Sequence, residues 1–551
     1  MQSCGAGNSS THFCFGAGIV PRPVCPIDAC QIAGLRAIAV SSWTNLASLH
    51  LSLDIIAGPI RCTLSTEEKP VSTDLTSTEP TRRTFLKASA VGLTAAAASD
   101  LASALGARAF APPSDDISVR VTSGKLRYAA AAPLAWHNSS ATDQNVITVD
   151  PAKKFQEILG FGAAFTDAAC YTFNRLDPPA REQLFHDLFH PSEMGLNVCR
   201  TCMGSSDYST EVFSYDEGEP DPDLKRFSIA HDQAYVLPMV RQARKENPDL
   251  FLFSTPWSPP GWMKAGGSML GGCMRPRYLG PYAQYFLKFL QAYAAEGVPV
   301  QAVTVQNEVD TDQDGKMPAC SWTQEYEIRF VRDHLGPLLR KNGLPTKIWI
   351  LDHNYNLWGR AAAELDDPDL RKYCDGVAFH AYVGTPEMMT KLHDVHPDAQ
   401  LFWTEGGPDY TSPNYQTDWA NWGKTFTEAI RNWCQSISGW NLALDEKGRP
   451  NIGPFPCGGM VTIHSRSKEI TRSGQYWAFA HFSRVVRRGA HRFDSVSTLA
   501  DVDHVAFENP DGKRVLVVTN SGPAKTATIK NGSKAADLSL APDSMTTLCW
   551  S

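Results

Sequence analysis

The chain has 551 residues, enough for one large barrel with accessory pieces or for several ordinary domains, and too many for a single small one. With 43% hydrophobic and 20% charged residues it has a globular composition, which excludes a wholly disordered chain, and a net charge of −7 excludes the basic footprint of a nucleic-acid-binding protein. Aromatic residues make up 10%, most of them expected in the core, with some left to stack on flat ligands such as sugars.

Residues 1–80 show no clear helical period and contain Cys4, Cys14, Cys25, Cys30 and Cys62. They are an unassigned extension, expected to be disordered or to come from a mis-called start. No Met lies between Met1 and Met194, so a later start would use a non-Met codon, near Val71. Residues 81–111 follow the pattern of an export signal. The pair Arg82-Arg83 precedes Phe85-Leu86-Lys87, then an Ala-rich run, then Ala109-Phe110-Ala111 before Pro112. Paired arginines at this place resemble a bacterial twin-arginine signal. The expected partner is therefore the twin-arginine export machinery, met transiently, and the expected location is periplasmic or extracellular. The run is too short and too Ala-rich for a stable membrane span. Nine cysteines lie beyond it, an odd number whose spacings form no disulfide framework. Cys199 and Cys202 make a lone CxxC, better read as core than as a zinc or redox pair.

Residues 112–154 contain the strand-like ISVRVTSG and NVITVD. From 155 to 485 short apolar runs alternate with amphipathic segments such as YLGPYAQYFLKFLQAYAAEG. The runs are ILGFGAAF, GLNVCRTCM, LFLFSTPW, VQAVTVQN, KIWILDHN, GVAFHAYV, AQLFWTEGG and SGWNLAL. Eight such units predict an α/β fold, a (β/α)8 TIM barrel. An open doubly wound sheet would bring a Gly-rich phosphate loop, and none is apparent. Residues 486–551 read as short strands split by turns, Asn509-Pro510-Asp511-Gly512 among them. Both chain ends are expected to join in one attached antiparallel β-sandwich.

Each barrel run ends on a polar or aromatic group: Asp167, Arg200, Trp257, Asn307 with Glu308, Asp352 with His353, His380 with Tyr382, Glu405, and Trp440. In a barrel these ends converge on one mouth. A single strand-end Glu is usually a solvated surface residue, and a lone strand-end His a satisfied core one. Eight polar ends in register are hard to explain as packing, because buried charge is unfavourable unless paired. Glu308 ends the fourth run and Glu405 the seventh, across the mouth from each other. Cleavage of a glycosidic bond needs such a pair: one carboxyl protonates the leaving oxygen, the other attacks or stabilises the anomeric carbon. Asn307 could donate to the sugar 2-hydroxyl. Two other functions fit less well. A non-catalytic carbohydrate-binding barrel would have a broken carboxylate pair. A metal-dependent hydrolase using Asp352, His353 and His380 would show HxH or HExxH spacing, and none is present. The expected site therefore carries no metal and no cofactor, and its partner is a carbohydrate.

The segments FGAAFTDAA, STPWSPPGWMK, VTVQNE, FHAYVG, FWTEGG and WNLALDEKGRPN, in that order, resemble glycoside hydrolase family 30. That family contains acid β-glucosidase (glucocerebrosidase) and microbial β-1,6-glucanases, and the resemblance runs from about residue 117 to the C-terminus. It implies a retaining mechanism, with Glu308 as acid/base and Glu405 as nucleophile. It also implies that Asp167, Trp257 and Asn307 bind the sugar in the −1 site, that His380 and Tyr382 line it with Tyr382 near the nucleophile, that Trp440 packs on the sugar face, and that Arg200 neighbours Glu405 and keeps it ionised. Three places depart from the family pattern: Ala381 where glucosylceramide-cleaving members have Trp, Val309-Asp310 where Pro follows the acid/base, and Gly406-Gly407 after the nucleophile. LDHNYN, GGSML and the region of Cys457 look closer to the microbial glucanases. The expected substrate is a β-glucan or β-glucoside, a β-1,6 linkage among the candidates, with glucosylceramide as the alternative.

Overall fold

The structure is a computed structural model that describes residues 116–140 and 143–551. The expected extension and the export signal lie outside the described residues.

Eight parallel strands close into a barrel in chain order. They are Gly160–Phe165, Val198–Cys202, Phe251–Thr255, Ala302–Thr304, Lys347–Asn354, Cys374–His380, Leu401–Glu405 and Cys434–Asn441. The last closes on the first, Ser436 pairing with Gly160 and Gly439 with Ala163. The first strand is buried at all six positions, which is why its sequence is continuously apolar and does not alternate. It lies very close to the second: a Cβ at Gly162 would stand 1.9 Å from the Val198 carbonyl oxygen. Helices pack outside the barrel. Leu279–Ala295 turns Tyr282, Phe286, Leu290 and Tyr293 inward, a spacing of three to four residues. Thr166 caps the helix Asp167–Asn174, its side chain accepting from Ala169 N at 3.1 Å.

The fourth strand is shorter than VQAVTVQN suggests. Beyond Thr304 the backbone leaves the ladder, with Asn307 N donating to Pro256 O at 2.9 Å and Glu308 N to Asp352 O at 3.0 Å. The eighth run also divides. After Asn441, Ala443–Leu444 pairs with Val461–Ile463, which pairs with Ile470–Arg472, a small three-stranded sheet beyond the barrel.

The two ends of the described chain build the second layer, a ten-stranded sheet around its own core of Ile117, Val149, Phe493, Leu516, Ile529, Leu548 and Trp550. Ile117–Ser123 pairs directly with Ser544–Trp550. The expectation of a wholly antiparallel sandwich needs one correction: Lys525–Asn531 runs parallel to Val146–Glu157. Those strands belong to opposite chain ends, so no hairpin dictates their direction. The helix Gly474–Ser483 fastens barrel to sandwich. Its buried His481 sets Nδ1 2.8 Å from Thr547 Oγ1 and Nε2 2.8 Å from Thr122 Oγ1. No helix among the described residues is long and apolar enough to cross a membrane.

Candidate active site

Arg200, from the second strand, is fully buried and organises the mouth. Its Nη1 donates to Glu405 Oε2 at 2.5 Å, and its Nη2 to Asn307 Oδ1 at 2.9 Å and Asp352 Oδ2 at 2.7 Å. Three strand ends are thereby tied to one planar fork, a task suited to a guanidinium. The fork also stacks, its carbon lying 4.6 Å from the Trp257 ring centre and 5.4 Å from that of Trp440. Those two indoles stack on each other at 5.0 Å. Because Asn307 spends its oxygen on Arg200, its NH2 is the end that remains to meet a ligand.

Asp352 closes the network from below. It is fully buried, with Thr304 Oγ1 and Thr404 Oγ1 each at 2.6 Å, Thr255 Oγ1 at 3.1 Å and His380 Nε2 at 3.1 Å. Burial works against its charge, but Arg200, then His380 and Thr304, hold the carboxyl well below the usual carboxylate range.

The two expected carboxylates share a neighbour. His380 Nδ1 stands 3.4 Å from Glu308 Oε1, and its Nε2 stands 3.9 Å from Glu405 Oε2. One imidazole thus spans the gap between them and caps their separation. Their other partners differ. Both Glu405 oxygens face donors, Arg200 on one and the Tyr382 hydroxyl on the other at 3.1 Å. Glu308 accepts from Gln313 Nε2 at 2.6 Å and faces His353 Nδ1 at 3.8 Å. Glu308 also has φ +52°, a left-handed conformation that a non-Gly residue holds against about 1–2 kcal/mol of strain. Leu351 and Asp352, across the gap, share that sign at +73° and +48°. The two carboxylates are shifted in opposite directions. Burial raises Glu405, opposed by His380 and Arg200, and the charges of Glu308 and Asp352 add to the rise. Burial also opposes the charge on Glu308, yet His380 and His353 leave it lowered. Burial lowers His380 as well, but Glu405, Asp352 and Glu308 outweigh it and push the imidazole up to about 9. These directions favour the protonated form of His380.

Asp167, expected to bind the sugar, is held outside the Arg200 fork. Its carboxylate accepts from Thr210 N at 2.7 Å and Thr210 Oγ1 at 2.8 Å, and pairs with His231 Nε2 at 2.8 Å. The acid that stands in the field of both glutamates is Asp207, in the buried loop after the second strand. Burial, then the charges of Glu405 and Glu308, push it well above the usual range. A lone acid in a Ser-rich loop has no period to reveal it. Sequence spacing also gave no metal site, whereas the fold gathers Glu308, His353 and His380 from three different strand ends, with ligand atoms within 4.8 Å of one another. Neighbouring loops are pinned by buried Lys264, whose Nζ meets Ser258 Oγ, Met269 O and Ala319 O at 3.0, 2.8 and 2.5 Å.

Comparison with known proteins agrees with this architecture. The glycosyl hydrolase family 30 TIM-barrel domain matches residues 158–486, and the family's beta sandwich domain matches residues 489–548. An endo-1,6-beta-D-glucanase of Neurospora crassa is 31% identical over 402 residues, 69% of this chain and 82% of that protein. The lysosomal acid glucosylceramidase of Mus musculus is 30% identical over 396 residues, 68% of this chain and 77% of that one. The solved structure of an endo-beta1,6-glucanase superposes with a TM-score of 0.73 at 28% identity, over 79% of this chain and 99% of that chain. A closed barrel with its carboxylates at the mouth, a sandwich built from both ends and these matches along both layers make the chain a glycoside hydrolase, a member of glycosyl hydrolase family 30.

Proposed function

We propose that the enzyme cleaves β-glucosidic bonds of a β-glucan or β-glucoside with retention of configuration, by double displacement. The observation that carries this reading is the carboxylate pair bridged by one imidazole, with unlike partners on its two members. Glu405, charged and held by Arg200 and Tyr382, attacks the anomeric carbon. Glu308 protonates the departing oxygen, then takes a proton from the water that frees Glu405. His380 keeps that proton 3.4 Å from Glu308 until a bound sugar excludes water and disfavours the charge on Glu308. Asn307 meets the sugar 2-hydroxyl, and Trp257 and Trp440 back the ring.

A β-1,6-glucan is the first substrate to try, supported by the glucanase relatives. A glycolipid headgroup is the second reading, favoured by Val383 and Phe455, 52% and 40% exposed on loops that follow the sixth and eighth strands. Export by the twin-arginine route belongs to the same proposal and is supported by Arg82-Arg83 and the Ala-rich run after them. Replacing both arginines by lysine in the full chain should retain the enzyme in the cytoplasm; unchanged export would reject that route.

Turnover of β-1,6-glucan, an aryl β-glucoside and glucosylceramide should be measured for the wild type and Glu405→Gln. The substitution should lower kcat on the order of 10^4-fold or more, and a 2-fluoro-glucoside should label residue 405. Wild-type turnover by Glu405→Gln would overturn the assignment.

A further inference from the structure

We propose that Glu308, His353 and His380 form a binding site for a divalent transition-metal ion, Zn²⁺ foremost, which arrests the enzyme by occupying its proton donor. The arrest rests on the function proposed above; the binding does not.

Four features carry the proposal. The donor set is two imidazole nitrogens and one carboxylate oxygen, the set of a three-ligand zinc site with an open fourth position. Mg²⁺ and Ca²⁺ prefer oxygen alone. The geometry is nearly closed. Glu308 Oε1 lies 3.4 Å from His380 Nδ1 and 3.8 Å from His353 Nδ1. A tetrahedral ion with bonds of about 2.0–2.1 Å sets its ligand atoms about 3.3 Å apart; the two edges to Glu308 are close to that, and the imidazole nitrogens, within 4.8 Å of each other, must draw together around the ion.

The far nitrogen of each ring is held by a carboxylate. His380 Nε2 meets Asp352 Oδ1 at 3.1 Å, and His353 Nε2 meets Asp310 Oδ1. This carboxylate–histidine pattern orients ligand imidazoles at known zinc sites. It turns both Nδ1 atoms toward Glu308. Finally, both Nδ1 atoms are buried with no hydrogen-bond partner of proper geometry, in residues 5% and 0% exposed. At His353 such an atom is unfavourable by about 1–3 kcal/mol and an ion would relieve it, while at His380 the ion would take the place of the proton that faces Glu308. Among the described residues these three are the only such cluster of His, Cys, Asp and Glu side chains.

The test is calorimetric titration of the chelator-treated full chain with ZnCl2, together with the anomalous zinc signal of a soaked crystal. The wild type should take up one ion at this cluster. His353→Gln should weaken uptake at least tenfold, and Asp310→Asn, which alters only the outer carboxylate on a half-exposed side chain, by about tenfold. Cys273→Ser, which removes an exposed thiol, should change nothing. Glu405→Gln should still take up one zinc ion at this cluster although it no longer turns over, which separates this proposal from the hydrolytic one. In the wild type, Zn²⁺ should abolish turnover and a chelator restore it. No uptake by the wild type, equal affinity in Asp310→Asn, or an anomalous peak elsewhere would each overturn the site.

Discussion

At the scale of single residues, the mouth separates groups that hold the fold from groups that the fold merely tolerates. Asp167 has a partner for each oxygen, whereas Asp207 sits buried against two like charges. The contrast predicts opposite outcomes for the same isosteric change. Asp167→Asn loses the ion pair with His231 and should lower stability by about 1–2 kcal/mol in urea melts, with KM nearly unchanged. Asp207→Asn replaces an acid whose charge burial and the two glutamates already disfavour, and should leave stability equal or higher. It should also lower kcat/KM about 10–100-fold by changing the hydrogen bond this side chain can offer the sugar. If Asp207→Asn turns over normally, the acid does not belong to the site. Glu308, Glu405, Arg200, His380 and Trp440 could be read in advance because a parallel barrel delivers every C-terminal strand end to one mouth. Asp207 could not, since a loop of irregular backbone has no register to count along. The buried role of Asp352 was also hidden, because its partners Thr255, Thr304 and Thr404 are ordinary strand threonines in sequence.

At the scale of elements, legibility followed burial. Runs covered on both faces, such as GFGAAF and the LFW that opens the seventh strand, are continuously apolar and announce themselves. The fourth strand was over-read because Val305 and Gln306 are buried like strand residues while their backbone has already turned toward Glu308. That early exit is what presents Glu308 with its left-handed φ, so these two residues are the ones that aim its carboxyl into the mouth. Close packing between the first two strands supports the same end of the barrel. Gly162 faces the Val198 carbonyl with no room for a methyl group, and the next pairing along, Ala164 with Arg200, sets the guanidinium that holds Glu405. Gly162→Ala must therefore push the two backbones away from each other. It should destabilise the protein by about 3 kcal/mol or more in urea melts and reduce activity, although the added methyl lies on no ligand-facing surface. Stability within about 0.5 kcal/mol of wild type would show that the strands can slide apart freely.

At the scale of the whole molecule, the sandwich acts as a clamp on the barrel, and its seam is pH-sensitive. The pairing of the two chain ends was legible from their alternating strands, but the seam was not, since His481 sits in a helix that reads as barrel. That histidine is fully buried between threonines of two sandwich strands, with the Tyr128 ring edge-on at 5.1 Å and Arg484 nearby. Burial, then the Arg484 charge, lowers its pKa to about 3, and burial lowers His504 in the sandwich to about 4. An unfolded histidine titrates near 6.5, so between that pH and the folded value the unfolded chain binds a proton that the folded chain refuses. Stability from this source is complete above about pH 6.5 and declines as pH falls. For one such histidine the loss reaches about 2 kcal/mol at pH 5. Buried Asp232 and half-buried Asp418, raised to about 6 and about 7, act in the opposite sense, so the wild-type curve alone cannot isolate the seam. The difference between proteins can. His481→Gln lacks the titrating group and should be less stable than wild type at pH 7.5 through lost packing and hydrogen bonds. That gap should shrink by about 2 kcal/mol between pH 7.5 and pH 5 as the wild type loses its advantage. Urea melts of both proteins across this range provide the check, and a gap that stays constant would mean that His481 is protonated, or solvated, in the folded seam.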